Sequence, residues 1–236
     1  MRSDEHPPVR SLGRVSSLCY LEGGSPAALE NKLGITNDVE LALAEERLTK
    51  KRAAELFELG LLDTFEVGTF KGLSQIHAYL FQDVYGFAGR LRDVNLAKGN
   101  FRFAPRLYLA AALDEIDKMP QATFNEIVEK YVEMNVAHPF REGNGRSTRI
   151  WLDAILRAQL GLVVDWSLVD KEDYLLAMER SPVRDTEIKA LLSRALTDKV
   201  DDLQVYMKGI EQSYRYEGYS TYRMEDLAPS PRESGR

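Results

Sequence analysis

The sequence predicts a mainly α-helical protein with one short β-hairpin. Apolar residues recur at spacings of three and four through most of the chain, which is the period of a helix face. That period is interrupted over residues 91–105, where Lys98-Gly99-Asn100 separates two short extended runs as a hairpin turn does. Strands do not alternate with helices and no internal repeat occurs, which argues against a parallel sheet.

Caps and stops delimit the predicted helices. Asn37, with Glu40 three residues later, predicts the start of a helix that runs to about residue 59. A second helix over about 71–85 carries His77 on its apolar face, and we interpret His77 as a core histidine. Further helices are predicted over about 107–118, 123–137, 145–161 and 201–216, with Asp170 and Asp185 capping shorter helices between the last two.

Composition limits the domain count and the partners. A chain of 236 residues with 44% hydrophobic content can bury one substantial core. A net charge of -6 argues against direct binding to nucleic acid. Cys19 is the one cysteine, which excludes an internal disulfide, and no His/Cys cluster has zinc-ligand spacing. No apolar run approaches the roughly 20 residues of a membrane span. We therefore expect a cytoplasmic protein.

Composition also suggests where the folded domain begins and ends. Residues 1–27 mix Pro, Gly, Ser and Arg without apolar periodicity, so we expect a disordered N-terminal extension. One domain is expected over 28–219, with its last helix over about 201–218 and a disordered tail over 220–236.

The segment from His138 to Arg149 concentrates residues with chemical uses. Gly143 and Gly145 at a helix N-terminus let backbone N–H groups approach an anion, and the helix dipole favours negative charge there. Arg146 and Arg149 are three residues apart and share one helix face, so both could reach phosphate oxygens. The segment therefore predicts a site for a diphosphate or triphosphate.

Two further side chains add metal binding and proton transfer. A carboxylate beside phosphates commonly holds Mg²⁺, and Glu142 has that position. A neutral imidazole is available near pH 7, so His138 is the candidate base. A P-loop interpretation fails, because Arg146 stands where that motif has lysine and the segment follows a helix.

The segment matches His-x-Phe-x-Asp/Glu-Gly-Asn-Gly-Arg-x-x-Arg at every defined position, so the chain resembles the Fic (fido) family over about residues 29–219. The resemblance implies a helical fold and a protein adenylyltransferase, which moves AMP from ATP to a Tyr, Thr or Ser hydroxyl of a target protein. His138 would then deprotonate the hydroxyl, and Glu142 would hold Mg²⁺. The residues implied to bind ATP are Gly143, Asn144, Gly145, Arg146 and Arg149, with Asn144 on the α-, Arg146 on the β- and Arg149 on the γ-phosphate.

The hairpin resembles the family's flap, which pairs with an extended target segment through main-chain hydrogen bonds. An ordinary edge strand remains the alternative interpretation. The flap residues are Lys98, Gly99, Asn100, Phe101, Arg102 and Phe103.

The last helix resembles the inhibitory motif of the single-domain class, through Ser213, Glu217 and Gly218. Glu217 is implied to pair with Arg149 and so to misplace the γ-phosphate. Tyr214 and Tyr219 are candidates for self-modification that would release the helix. An ordinary helix end with a glycine stop is the alternative.

Other readings of the same site stay open. The resemblance to self-inhibited bacterial members implies a housekeeping target such as a DNA topoisomerase subunit, and self-association into a homo-oligomer. The alternatives to AMP transfer are removal of AMP from a modified target, a non-catalytic binding module, and transfer from another nucleotide donor.

Overall fold

The computed structural model describes residues 20–21, 28–98 and 101–217. Predictions for Gly99, Asn100, Gly218, Tyr219 and the rest of both termini lie outside these residues. The helices are α1 (Asp38–Glu58), α2 (Phe70–Phe81), α3 (Arg106–Lys118), α4 (Phe124–Ala137), α5 (Asn144–Leu160), α6 (Lys171–Arg180), α7 (Thr186–Arg194) and α8 (Leu203–Glu217). The strands are β1 (Tyr20–Leu21), β2 (Leu96–Lys98), β3 (Phe101–Arg102), β4 (Val163–Val164) and β5 (Leu196–Thr197).

The mainly helical fold and the hairpin are confirmed. Strands β2 and β3 pair antiparallel, with Ala97 opposite Arg102 and Lys98 opposite Phe101. The antiparallel pair β4–β5 was not predicted, because two-residue strands are too short to produce a periodic pattern.

The N-terminal prediction differs from the structure at two residues. We expected residues 1–27 to lack a packed partner, but Tyr20–Leu21 forms strand β1 and pairs antiparallel with β2. The three strands make one sheet in the order β1-β2-β3. The cause is that β2 offers an unpaired backbone edge, which a segment of weak intrinsic preference can join.

Most predicted caps are present. The Asn37 side chain accepts a hydrogen bond from the Glu40 N–H at 3.0 Å. Thr123 forms the expected capping box at the start of α4, and Asp170 accepts two N–H bonds at the start of α6. Asp185 does precede α7, but its side chain makes no cap hydrogen bond, so that part of the prediction is wrong. Helix α2 ends at Phe81, four residues earlier than predicted.

Helix α5 is the central element, packed against α2, α4 and α8. Helix α8 also packs on α1 and on a 3-10 turn at Trp166–Leu168. Gly209 permits this approach, because a Cβ there would lie 2.9 Å from the Trp166 ring. The end of α4, the start of α5 and the end of α8 consequently meet in one region. Within the described residues, no helix is both long and apolar enough to cross a membrane.

Candidate active site

The predicted loop begins at a strained residue. Helix α4 ends at Ala137, and His138 follows in the left-handed region with φ 51° and ψ 63°. Its N–H donates to the Met134 carbonyl at 3.0 Å, which closes the last turn. Pro139 explains why the helix cannot continue. Left-handed geometry costs a residue with a side chain about 1–3 kcal/mol and is concentrated at functional sites.

The flap lies directly against His138. The Phe103 ring stacks on the His138 ring, with centroids 3.6 Å apart and planes 16° from parallel. Phe101 packs edge-on against Phe103 at 5.2 Å. The structure therefore brings together two features that lie far apart in the sequence.

Arg92 ties the flap to the loop, and sequence reasoning missed it. Its guanidinium donates to the carbonyls of His138 at 2.7 Å, Val94 at 2.5 Å, and Ala104 and Ala137 at 2.5 and 3.1 Å. Arg92 is 4% exposed, so this one buried cation serves four carbonyl acceptors. A lone arginine in an irregular stretch gives no signal of such contacts.

The loop is closed from inside by Phe140 and Asn144. Phe140 is fully buried and stacks on His77 at 3.8 Å. The Asn144 side chain accepts from the Phe140 N–H at 2.8 Å and donates to the Phe140 carbonyl at 2.7 Å. Asn144 thus shapes the loop, and a carboxamide has a second amide hydrogen to offer a phosphate oxygen.

His77 lies in the core, as the sequence predicted. Burial lowers the pKa of His77 to about 3, so its imidazole is neutral at physiological pH. The Gly89 N–H donates to its Nδ1 at 2.8 Å, which leaves Nε2 to donate to the Glu142 carbonyl at 2.8 Å. His77 therefore supports the loop from below.

Arg146 is held by carboxylates. Its guanidinium donates to Glu142 at 2.9 Å, to the Tyr214 hydroxyl at 3.3 Å and, in a short contact, to Glu45 of α1. The Tyr85 hydroxyl donates to the same Glu45, and burial raises the pKa of Tyr85, which keeps it a donor. A phosphate bound to Arg146 as predicted would compete with these acceptors for the N–H donors of its guanidinium. The sequence analysis did not identify Glu45 as a residue of the site. Its position one helical turn after Leu41 places it on the buried face of α1, and a carboxylate there was a signal of a buried partner.

Arg149 lies in an aromatic box. Its guanidinium carbon is 4.8 Å from the ring centre of Tyr216, 5.2 Å from that of Tyr174 and 5.6 Å from that of Trp166. Arg149 is 5% exposed. Tyr216 immediately precedes Glu217, the last residue of α8, so the end of this helix lies beside Arg149.

Glu142 is the candidate metal ligand. Among the described residues, no group of three His, Cys, Asp or Glu side chains could hold a metal ion. Mg²⁺ needs less from the protein, since it binds through one or two carboxylates plus substrate phosphates and water. Glu142 accepts from the Gly143 N–H at 2.9 Å, beside the start of α5, so it fits a metal that arrives with a nucleotide.

Gly143 is expected to be far less replaceable than Gly161. Both have positive φ, 75° and 65°, but a Cβ at Gly143 would lie 2.3 Å from the Phe81 ring, whereas nothing lies within 4 Å of one at Gly161. Gly161→Ala should cost about 1 kcal/mol of unfolding free energy from backbone strain. Gly143→Ala should cost about 2–4 kcal/mol, because overpacking is added. Urea unfolding of both variants tests this, and equal losses would contradict it.

Comparisons with known proteins identify a family and several relatives of this chain. The Fic/DOC family model matches residues 69–156. A probable protein adenylyltransferase Fic of Salmonella typhimurium is 31% identical over 182 residues, which cover 72% of this chain and 88% of the relative. The probable protein adenylyltransferase y4lH of Sinorhizobium fredii is 32% identical, with 73% and 91% covered. The structure of BepC from Bartonella tribocorum, with bound AMPPNP, has a TM-score of 0.60 at 22% identity and covers 75% and 96%. The chain belongs to the Fic/DOC family.

Proposed function

We propose that this protein is an adenylyltransferase that transfers AMP from ATP to a hydroxyl side chain of a target protein. The observation that carries the proposal is that the Phe103 ring of the flap stacks on the His138 ring. His138 lies in the loop that leads into helix α5. This arrangement joins a proton acceptor, a strand edge for a target and a helix N-terminus for phosphates. The relatives at 31% and 32% identity are named probable protein adenylyltransferases, which supports the same activity.

The chemistry follows from the residues of the loop. His138 takes the proton of the target hydroxyl, whose oxygen attacks the α-phosphorus as pyrophosphate leaves. The N-terminal amides of α5, between Gly143 and Gly145, face the phosphates with the positive end of the helix dipole. Arg146 binds the β-phosphate and Arg149 the γ-phosphate, and Asn144 donates its second amide hydrogen to the α-phosphate. Mg²⁺ at Glu142 would neutralise charge on the phosphates as the leaving group departs.

The same site contains the means of its inhibition. Glu217 ends α8 next to Tyr216, whose ring lies 4.8 Å from the Arg149 guanidinium. A carboxylate here can take the guanidinium in a bidentate pair and deny it to the γ-phosphate. Ser213 is buried in α8, and its hydroxyl is satisfied within the helix because it donates to the Gly209 carbonyl at 3.0 Å. Gly218 then ends the inhibitory motif.

Self-modification at Tyr214 requires α8 to move. Tyr214 is 1% exposed, and its hydroxyl contacts Thr49 of α1 as well as Arg146. A hydroxyl in this position cannot receive AMP while the helix is docked. Modification of Tyr214 would therefore trap α8 away from α1 and Arg149, and it would extend the active state rather than start it.

Tyr214→Phe removes a buried hydroxyl whose hydrogen bonds contribute about 1 kcal/mol or more to the packing of α8. We therefore expect the variant to raise basal AMP transfer about threefold to tenfold. Tyr206→Phe is the matched control on the same helix. The Tyr206 hydroxyl is buried without a hydrogen-bond partner in the described structure, so its loss should leave activity and stability nearly unchanged. Rates of label incorporation and urea unfolding measure both. Equal effects of the two variants would contradict the anchoring role.

The direct test is incubation of the wild type and the Glu217→Gly variant with Mg²⁺ and α-labelled ATP in a bacterial lysate, followed by mass spectrometry of labelled bands. Covalent AMP on Tyr, Thr or Ser supports the proposal and identifies the target, for which the family resemblance suggests a DNA topoisomerase subunit. Absence of label, together with release of AMP from a pre-modified target, would favour the AMP-removing alternative. Gel filtration of the purified chain tests the proposed homo-oligomer.

A further inference from the structure

The outer backbone edge of strand β2 in the flap is already in use. Strand β1 pairs antiparallel with β2, with Tyr20 opposite Ala97 and Leu21 opposite Leu96. Strand β3 takes the other edge of β2. Both edges of β2 are therefore occupied by this chain, and an extended target segment could join β2 only by displacing β1.

The register separates the two positions of β1. Directly opposite residues in an antiparallel sheet lie on the same face, and neighbours along a strand lie on opposite faces. One cross-strand row contains Tyr20, Ala97 and the exposed Arg102. The other begins at Leu21 and continues through Leu96, which is 3% exposed and whose carbonyl accepts from the Phe103 N–H at 3.2 Å.

The second row ends at the catalytic histidine, because Phe103 stacks on His138 at 3.6 Å. A target residue that presents its hydroxyl to His138 must occupy this face of the sheet. In β1 the position in this row is Leu21, which has no hydroxyl. Tyr20, which has one, belongs to the row of the exposed Arg102.

We propose that Tyr20–Leu21 is a built-in competitor of the protein target, which occupies the target edge of β2 and sets a residue without a hydroxyl in the row next to His138. This inference rests on the proposed function, because it assigns the flap to target docking. An attached segment competes at a high effective concentration, so even a short pairing can suppress weak targets. Targets that pair over more residues than β1 would displace it.

The register gives a gain-of-function test in the full chain. In a Glu217→Gly background, Leu21→Tyr should create an acceptor for the α-phosphoryl group. The new hydroxyl oxygen bonds to the α-phosphorus, the bond to pyrophosphate breaks, and the proton passes to His138. Label at position 21 should form at a rate independent of protein concentration, because the acceptor is in the same chain. Leu21→Phe, which is matched in size without the hydroxyl, should stay unlabelled there, as should Tyr20 in every variant.

Competition is tested by removing the pairing. The double variant Tyr20→Pro with Leu21→Pro lacks the backbone N–H groups of β1, whereas Tyr20→Ala with Leu21→Ala keeps them. In the Glu217→Gly background the proline pair should raise labelling of lysate proteins about threefold to tenfold above the alanine pair, as expected for the loss of one or two net hydrogen bonds. If lysate proteins are labelled but position 21 is not, and the two pairs behave alike, the inference is wrong while the transferase activity stands. If no protein is labelled in any variant, the proposed function itself is wrong.

Discussion

Glu217→Gly is expected to raise the rate of AMP transfer by about tenfold to a hundredfold. Charge-assisted hydrogen bonds are worth about 1.5–3 kcal/mol, and each 1.4 kcal/mol is a factor of ten in rate. Loss of the carboxylate at the end of α8 would leave Arg149 to orient the γ-phosphate. The measurement is the rate at which label from α-labelled ATP is incorporated into protein, with wild type and variant at equal concentration.

Glycine also weakens a helix, so the comparison needs a control for helix melting. Lys208 is exposed at mid-helix in α8, and Lys208→Gly introduces the same backbone freedom far from Arg149. We expect Lys208→Gly to change activity little. Activation of equal size by both variants would mean that helix stability, rather than the carboxylate, sets the inhibition.

His138→Asn in the Glu217→Gly background should reduce transfer by about a hundredfold to ten-thousandfold, the usual contribution of a positioned general base. Asparagine is the better replacement here, because it tolerates the left-handed backbone that alanine would strain at φ 51°. ATP binding, measured by calorimetry, should persist, since the phosphates rest on the start of α5. Retained transfer by a folded His138→Asn variant would remove the assignment of His138 as base.

The sequence was most informative where a feature depends on neighbouring residues. The capping box at Thr123, the end of α4 before Pro139 and the start of α5 after Gly143 are local events with local causes. The twelve-residue motif likewise places its functional groups on one loop and one helix turn. These features could be predicted because few other arrangements satisfy the same backbone constraints.

The contacts that hold the site together could not be predicted in the same way. The loop and its arginines are contacted from other elements: Arg92 binds the His138 carbonyl, Glu45 binds Arg146, and Trp166 packs against Arg149. No periodic pattern in the sequence encodes these pairings. Strand β1 escaped prediction for a related reason, since its pairing depends on the edge that β2 provides rather than on its own composition.

The contact between Arg146 and Glu45 has a consequence for how the protein handles ATP. One guanidinium serves both the anchoring of α1 and the proposed β-phosphate contact, so the two are thermodynamically linked. A phosphate that displaces Glu45 from Arg146 weakens the anchoring of α1. By reciprocity, the Arg146–Glu45 contact lowers the affinity for the nucleotide by the same free energy. Helix α1 is also the surface on which Tyr214 of α8 rests, through Thr49. A higher cellular ATP concentration would thereby weaken the packing of the inhibitory helix α8 on α1.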